Sequence, residues 1–184
     1  RHGLWLAERE PRRQVPVIEA SVEAPWCREL IGRVRSAGMK MVIRDLTWEL
    51  GLPVFLVDLA APDLCWVWRG SGCHTSPDVA LSRALTEAAQ SRLTYIAGSR
   101  DDILNLGAGS RSYLAFEALV EPPGERALAG VPDLSTTSVA SDLDRVVERL
   151  VDHGYEPFYV DLTRPEIGVP VTAAFVPGLR DHVH

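Results

Sequence analysis

Residues 38–54 read GMKMVIRDLTWELGLPV, and residues 154–171 read GYEPFYVDLTRPEIGVPV. Both stretches run glycine, apolar run, Asp-Leu-Thr, polar turn, then Gly-x-Pro-Val opening a second apolar run. Gly38, Asp45, Leu46 and Thr47 match Gly154, Asp161, Leu162 and Thr163 at a separation of 116 (154 − 38). Gly51, Pro53 and Val54 match Gly168, Pro170 and Val171 at 117 (168 − 51), so the second turn holds one extra residue. The apolar runs 39–46 and 52–59 are rich in Val, Ile and Phe, which predicts two strands. A helix over about 26–37 precedes the first pair. Leu30, Ile31 and Val34 recur at helical spacing, Glu29, Arg33 and Arg35 turn to solvent, and Gly38 stops it. Another helix, over about 141–153, precedes the second pair. Two copies are too few for a solenoid. They predict an α+β fold of pseudo-symmetric helix–strand–strand units, about 26–60 and 141–177, with a long central helix between them.

Within the repeat, Asp45 and Asp161 read either as metal-binding or catalytic acids or as strand-end turn caps assisted by Thr47 and Thr163. Repetition of the whole turn, rather than of the acid alone, favours caps. Between the units a third strand is expected at 64–68. The stretch Gly70-Ser71-Gly72-Cys73-His74-Thr75-Ser76-Pro77-Asp78 then reads as a loop ending in a helix start, with Ser76 as N-cap, Pro77 at the first helical position and Asp78 at the positive end of the dipole. The central helix follows over about 77–97 and ends at Gly98. A shorter element starts near Arg100, and 121–138, with three prolines and two glycines, reads as a loop or flexible insertion.

The 184 residues make one domain of ordinary size, or part of a larger one. A composition of 46% hydrophobic and 24% charged residues is globular. The net charge of −6 argues against nucleic-acid binding by bulk charge. Three cysteines cannot build a disulfide scaffold and fit a reducing, cytoplasmic setting. No apolar run is long enough to span a bilayer, and no signal peptide opens the chain. The only methionines are Met39 and Met41, and Arg1-His2-Gly3-Leu4-Trp5 reads as element interior. The chain is therefore expected to be one partial domain, with sequence missing before Arg1.

The chemistry-bearing candidates lie around the central helix. Ala80, Leu81, Ala84, Leu85, Ala88, Ala89, Leu93 and Ile96 cover most of its circumference, which predicts burial. Arg83, Glu87, Gln90 and Thr94 nevertheless form one stripe, with Ser91 and Arg92 at its edge. The stripe is either a ligand-facing line of charge or a solvated face with an i, i+4 Arg–Glu pair. The glycine-rich stretch before it could deliver backbone amides to an anion, although it lacks the Gly-Lys-Ser/Thr of a P-loop. Cys73 and His74 are adjacent, and adjacent residues seldom act as nucleophile and base. Cys65, Cys73 and His74 lack close zinc-ligand spacing. Arg100, Asp101 and Asp102 read either as a helix start or as added charge for a phosphate site. The tryptophans read as core and turn packing.

At this helix the sequence resembles the YcaO family. The resemblance rests on Gly70–His74, Pro77–Leu81, Arg83-Ala84-Leu85-Thr86-Glu87-Ala88-Ala89-Gln90-Ser91-Arg92 and Gly98-Ser99-Arg100-Asp101-Asp102, with the Gly-x-Pro-Val turn at 51–54 and the closing Val176-Pro177-Gly178-Leu179. It implies an ATP-dependent enzyme that phosphorylates a peptide-backbone amide oxygen, leading to an azoline or a thioamide in a ribosomally made peptide. It implies ATP and magnesium as cofactors, Glu87 as a magnesium-site glutamate and Gln90 in the same motif. Arg83, Arg92 and Arg100 are looser phosphate-contact candidates. The implied partners are a precursor peptide and a TfuA-like or leader-binding protein. The family's second acidic motif, a Glu-x-x-Glu helix, has no counterpart here, since Glu8 and Glu10 are wrongly spaced. The given sequence ends Arg180-Asp181-His182-Val183-His184 rather than in the proline-rich stretch of many azoline-forming members, which points either to the thioamide branch or to truncation. A non-catalytic fragment acting as a binding or scaffolding module is the alternative.

Overall fold

The computed structural model describes residues 14–61, 64–98 and 119–179. Strands β1 (Val15–Pro16), β2 (Lys40–Asp45), β3 (Val54–Ala61) and β4 (Leu64–Cys73) form one antiparallel sheet in chain order. Two helices, α1 (Pro25–Ser36) and α2 (Pro77–Ile96), pack on one face of it. Helix α3 (Val139–Asp152) precedes a separate hairpin of β5 (Phe158–Asp161) and β6 (Thr172–Phe175). The architecture is mixed α+β.

Local chemistry explains most element ends. Pro25 opens α1 where a helix has no use for its missing N–H. The helix stops at Gly38, whose N–H donates to the Arg35 carbonyl at 2.9 Å while the Met39 N–H donates to that of Val34 at 3.4 Å. Ser138 caps α3, its hydroxyl accepting from the Ser141 N–H at 3.4 Å. Ser76 holds the N-cap position of α2 without a side-chain bond.

Strand β3 is the centre of the core. Phe55, Val57 and Leu59 face the helices, among Met41 and Ile43 of β2, Cys27 and Ile31 of α1, and Ala80, Leu81, Ala84, Leu85 and Ala88 of α2. Its opposite face is buried as well, with Leu56 beside Leu46. A strand sealed on both faces reads as a near-continuous apolar run, as 54–61 does apart from Asp58.

The glycine stretch is a correction to the sequence reading. Gly70–Cys73 is not a loop but the end of β4, pairing Gly70 with Val57 and Gly72 with Phe55. The glycines serve packing rather than anion binding. A Cβ on Gly70 would sit 2.1 Å from the Ala88 nitrogen, and one on Gly72 would sit 2.0 Å from the Ala80 carbonyl oxygen. Helix α2 is likewise buried on one side only, along Ala80–Ala88, and Leu93 and Ile96 are exposed.

The segment 121–138 has irregular backbone but is tied down. Glu121 pairs with Arg35 and accepts from the Met41 N–H. Arg126 bonds Asp45 at 2.6 Å, and Leu128 and Val131 enter the core. Beyond it, Asp142 in the first turn of α3 accepts from the Thr75 hydroxyl at 2.8 Å, joining α3 to the connection into α2.

The two Asp-Leu-Thr turns have matching bonds. The Thr47 and Thr163 N–H groups donate to Oδ1 of Asp45 and Asp161, both at 2.8 Å. The Val54 and Val171 N–H groups donate to the Thr47 and Thr163 hydroxyls, both at 3.1 Å. Gly51 and Gly168 share a positive φ of 66° and 68°, and the register sets Asp45 opposite Phe55 and Asp161 opposite Thr172. Both acids are thus occupied as turn caps. The Thr163 bonds hold the Asp161 carboxyl below the usual carboxylate range.

Two glycine substitutions should part company. Gly70→Ala forces a methyl into α2 backbone, and chemical denaturation should show a loss of about 1–3 kcal/mol or more. Gly32→Ala, inside α1 with open space around its Cα, should gain about 0.5–1 kcal/mol.

Candidate functional site

The glycine contacts fix which side of α2 faces outward. With Ala80, Ala84 and Ala88 held against β4, Arg83, Glu87 and Gln90 lie on the exposed face. Being solvated, the stripe needs no buried partners, which corrects the expectation drawn from the helix's apolar content. The simple surface pair is not formed either. Among the described residues no ion pair or hydrogen bond engages the Glu87 carboxylate.

Arg92 turns elsewhere. Its guanidinium carbon stands 5.5 Å over the Trp68 ring, a cation–π contact. Trp68 meets Tyr95 edge-on at 6.4 Å, and Tyr95 stacks on Trp66 at 6.2 Å. The structure therefore brings Arg83, Glu87 and Gln90 onto one line and sets Arg92 against an aromatic cluster. Arg100 lies outside the described residues.

The minor candidates separate cleanly. The His74 Nδ1 accepts from the Ser76 N–H at 3.0 Å, so it is spent on the turn into α2 rather than on the exposed Cys73. No three His, Cys, Asp or Glu side chains cluster for a metal among the described residues. The Cys65 side chain lies outside them.

Sequence reasoning missed a buried charge. Asp58, 3% exposed on β3, faces away from the helices and accepts from Arg44 at 2.6 Å and from Arg69 at 2.8 and 3.1 Å. Burial alone would push its carboxyl up, but the Arg69 and Arg44 guanidiniums hold it below the usual range. The signal was present: an acid inside the run VFLVDLA, with an arginine directly opposite on β4.

The donor set suits one side of a magnesium–nucleotide site. Magnesium takes hard oxygen ligands, commonly one or two carboxylates completed by phosphates and water. Glu87 offers a carboxylate, Gln90 an amide oxygen, and Arg83 a guanidinium for phosphate.

Comparison with known proteins places the chain. The model of the family described as YcaO cyclodehydratase, ATP- and Mg2+-binding, matches residues 1–180. This chain belongs to the YcaO family. A protein of Methanothermobacter thermautotrophicus is 37% identical across 97% of the chain, and one in the tfuA 3′ region of Rhizobium leguminosarum bv. trifolii is 35% identical across 80%. The chain spans 48% and 38% of those proteins. Among solved structures, a heterocyclase in complex with substrate and cofactor superposes with a TM-score of 0.74 at 25% identity, covering 98% of this chain and 25% of that one. The heterocyclase TruD gives 0.68 at 28%, covering 91% and 24%. YcaO from Methanopyrus kandleri, bound with AMPPCP and Mg2+, shares the fold at 0.76 and 22% identity, covering 97% and 49%. Among the described residues no helix is long and apolar enough to cross a membrane.

Asp58 yields a pH prediction. A carboxyl depressed by folding stabilises the native state above its unfolded value near 3.8. That contribution falls away as pH drops through the folded value. Urea unfolding between pH 3 and 7 should therefore show stability falling below about pH 4. Asp58→Asn should blunt this dependence and cost roughly 1.5–3 kcal/mol at pH 7.

Proposed function

We infer that the full-length protein activates a peptide-backbone amide with ATP, and that this chain supplies one side of the nucleotide–magnesium site. The exposed Glu87 carboxylate, without a partner among the described residues, carries this reading, since it stands in line with Gln90 and Arg83 in a chain of the YcaO family. When bound, the nucleotide supplies the phosphoryl group that turns the amide oxygen into a leaving group. Glu87 would take the cation, Gln90 would brace the same side, and Arg83 would neutralise phosphate charge. Preorganised charge of this kind is the main contribution a protein makes to phosphoryl transfer. Arg92, seated over Trp68, would orient the end of α2, while Arg100 remains a phosphate-contact candidate. The substrate would be a ribosomally made precursor peptide, and the product an azoline or a thioamide. The relative in a tfuA 3′ region supports a TfuA-like partner.

Glu87→Gln keeps size and hydrogen bonding but removes the charge that draws the metal. In the full-length protein it should lower peptide-dependent ADP release at least 100-fold, the order expected when several kcal/mol of charge stabilisation are lost. The thermal midpoint should stay put, because the side chain is exposed. Near-normal turnover would overturn the assignment and favour a binding or scaffolding role.

A further inference from the structure

Helix α1 carries a groove along its exposed side. The 3-10 turn Glu19–Ser21 and the residues after it run beside the helix and frame a hollow of about 650 Å³, within the roughly 300–1,000 Å³ of ligand sites. Glu19, Val22 and Glu23 form one wall, and Arg28, Gly32 and Arg35 the other. Those three α1 residues are spaced i, i+4 and i+7, so they share one face of the helix. β1, which leads into the turn, is one edge of the sheet, and β4, against which α2 lies, is the other. The groove belongs to the β1 edge and not to the helix that carries Glu87.

Two features of the groove have no cause within the chain. Gly32 is the only glycine inside an α-helix among the described residues. Glycine is a poor helix former, yet Gly32 does not have a positive φ, and a Cβ there would meet nothing within 4 Å. Neither backbone geometry nor packing calls for it, in contrast to Gly70 and Gly72. The other feature is charge. Arg35 is spent on Glu19 and Glu121, but among the described residues no hydrogen bond or ion pair engages the side chain of Arg28 or of Glu23. A cation and an anion thus stand open at the same end of the groove.

We propose that this groove recognises the precursor peptide, a segment of which lies extended along α1 with its main chain over Gly32. A missing side chain is what lets a second main chain come close. An acidic side chain of the segment pairs with Arg28 and a basic one with Glu23, each a charge-assisted bond. From Arg28 to Arg35 the helix advances about 10.5 Å, which about three to four extended residues span. That the occupant is the substrate rests on the proposed function, and the chemistry there supplies the reason for a second site. A backbone amide is the same in every peptide, so the reacting group carries no identity. Selection has to come from side chains bound away from it.

The test uses the natural full-length protein and two probes. The first is a set of fluorescein-labelled octapeptides of alanine and serine, each carrying one aspartate and one lysine at a different spacing. By anisotropy without ATP, the best of them should bind about tenfold or more tighter than its Asn/Gln counterpart. Arg28→Gln and Gly32→Leu should each weaken that binding by about tenfold or more. Gly32→Leu should do so while raising the thermal midpoint, because leucine is the better helix former at an exposed position. The second probe is the peptide that stimulates ADP release. Both variants should raise its KM by about tenfold or more and change kcat by less than about twofold, the opposite of Glu87→Gln. Equal binding of charged and uncharged octapeptides, or unchanged binding in both variants, would overturn the proposal. So would lost octapeptide binding with an unchanged KM, which would assign the groove to a segment of another protein. The octapeptide measurement needs neither nucleotide nor turnover, so its outcome is independent of the proposed activity.

Discussion

The approach of β4 to α2 without intervening side chains sets everything else in place. Gly72 lies against Ala80, and Gly70 against Ala84 and Ala88. The match is metric as well as steric. Two residues of strand advance about 6.8 Å, and four residues of helix advance about 6 Å. A glycine at every second strand position therefore meets an alanine at every fourth helix position. The contact needs small residues on both partners, which is why an alanine-rich helix runs beside a Gly-Ser-Gly strand. It also fixes the helix's rotation. Once Ala80, Ala84 and Ala88 are committed inward, Arg83, Glu87 and Gln90 can only point out.

The paired turns show how much of a hairpin is decided locally. Asp45 is sealed and additionally bound by Arg126, whereas Asp161 is exposed. Their bonds to the backbone are nonetheless the same length. An aspartate cap, a threonine hydroxyl and a glycine at positive φ suffice to set the turn and the strand register. Burial then adds stability without redirecting the chain. The first hairpin gains its core from α1 and α2, and the second has the same backbone with its apolar residues still in water.

This division explains what could be read from the sequence. The turns, the helix ends at Gly38 and Gly98, and the charged line on α2 depend on residues within a few positions of one another, so a pattern reveals them. The glycine strand misleads because Gly-Ser-Gly locally resembles a loop. Only the alanines that arrive later in the chain make it a strand. The segment 121–138 misleads for the same reason. Its prolines and glycines exclude regular structure, but its anchors, Glu121 to Arg35 and Arg126 to Asp45, join residues more than eighty positions apart. Asp58 lay between these cases. Its cross-strand arginine follows from register, and register was not available until the strand β4 was recognised beyond Trp68.

The character of the outward stripe follows from charge. The chain carries a net charge of −6, so a polyphosphate approaching it meets general repulsion, and an exposed carboxylate adds to that. Glu87 alone would be an anti-site for a nucleotide. A divalent cation reverses the sign of the interaction, because carboxylate and phosphate then share one metal rather than oppose each other. In the proposed role Arg83, one helical turn earlier, would neutralise phosphate directly with its planar guanidinium. Under the proposed function, a carboxylate and a guanidinium on neighbouring turns of one rigid helix would favour a metal-loaded anion over a bare one. The glycine–alanine seam beneath them supplies the rigidity, so the packing that builds the fold also holds the two charges at a set spacing.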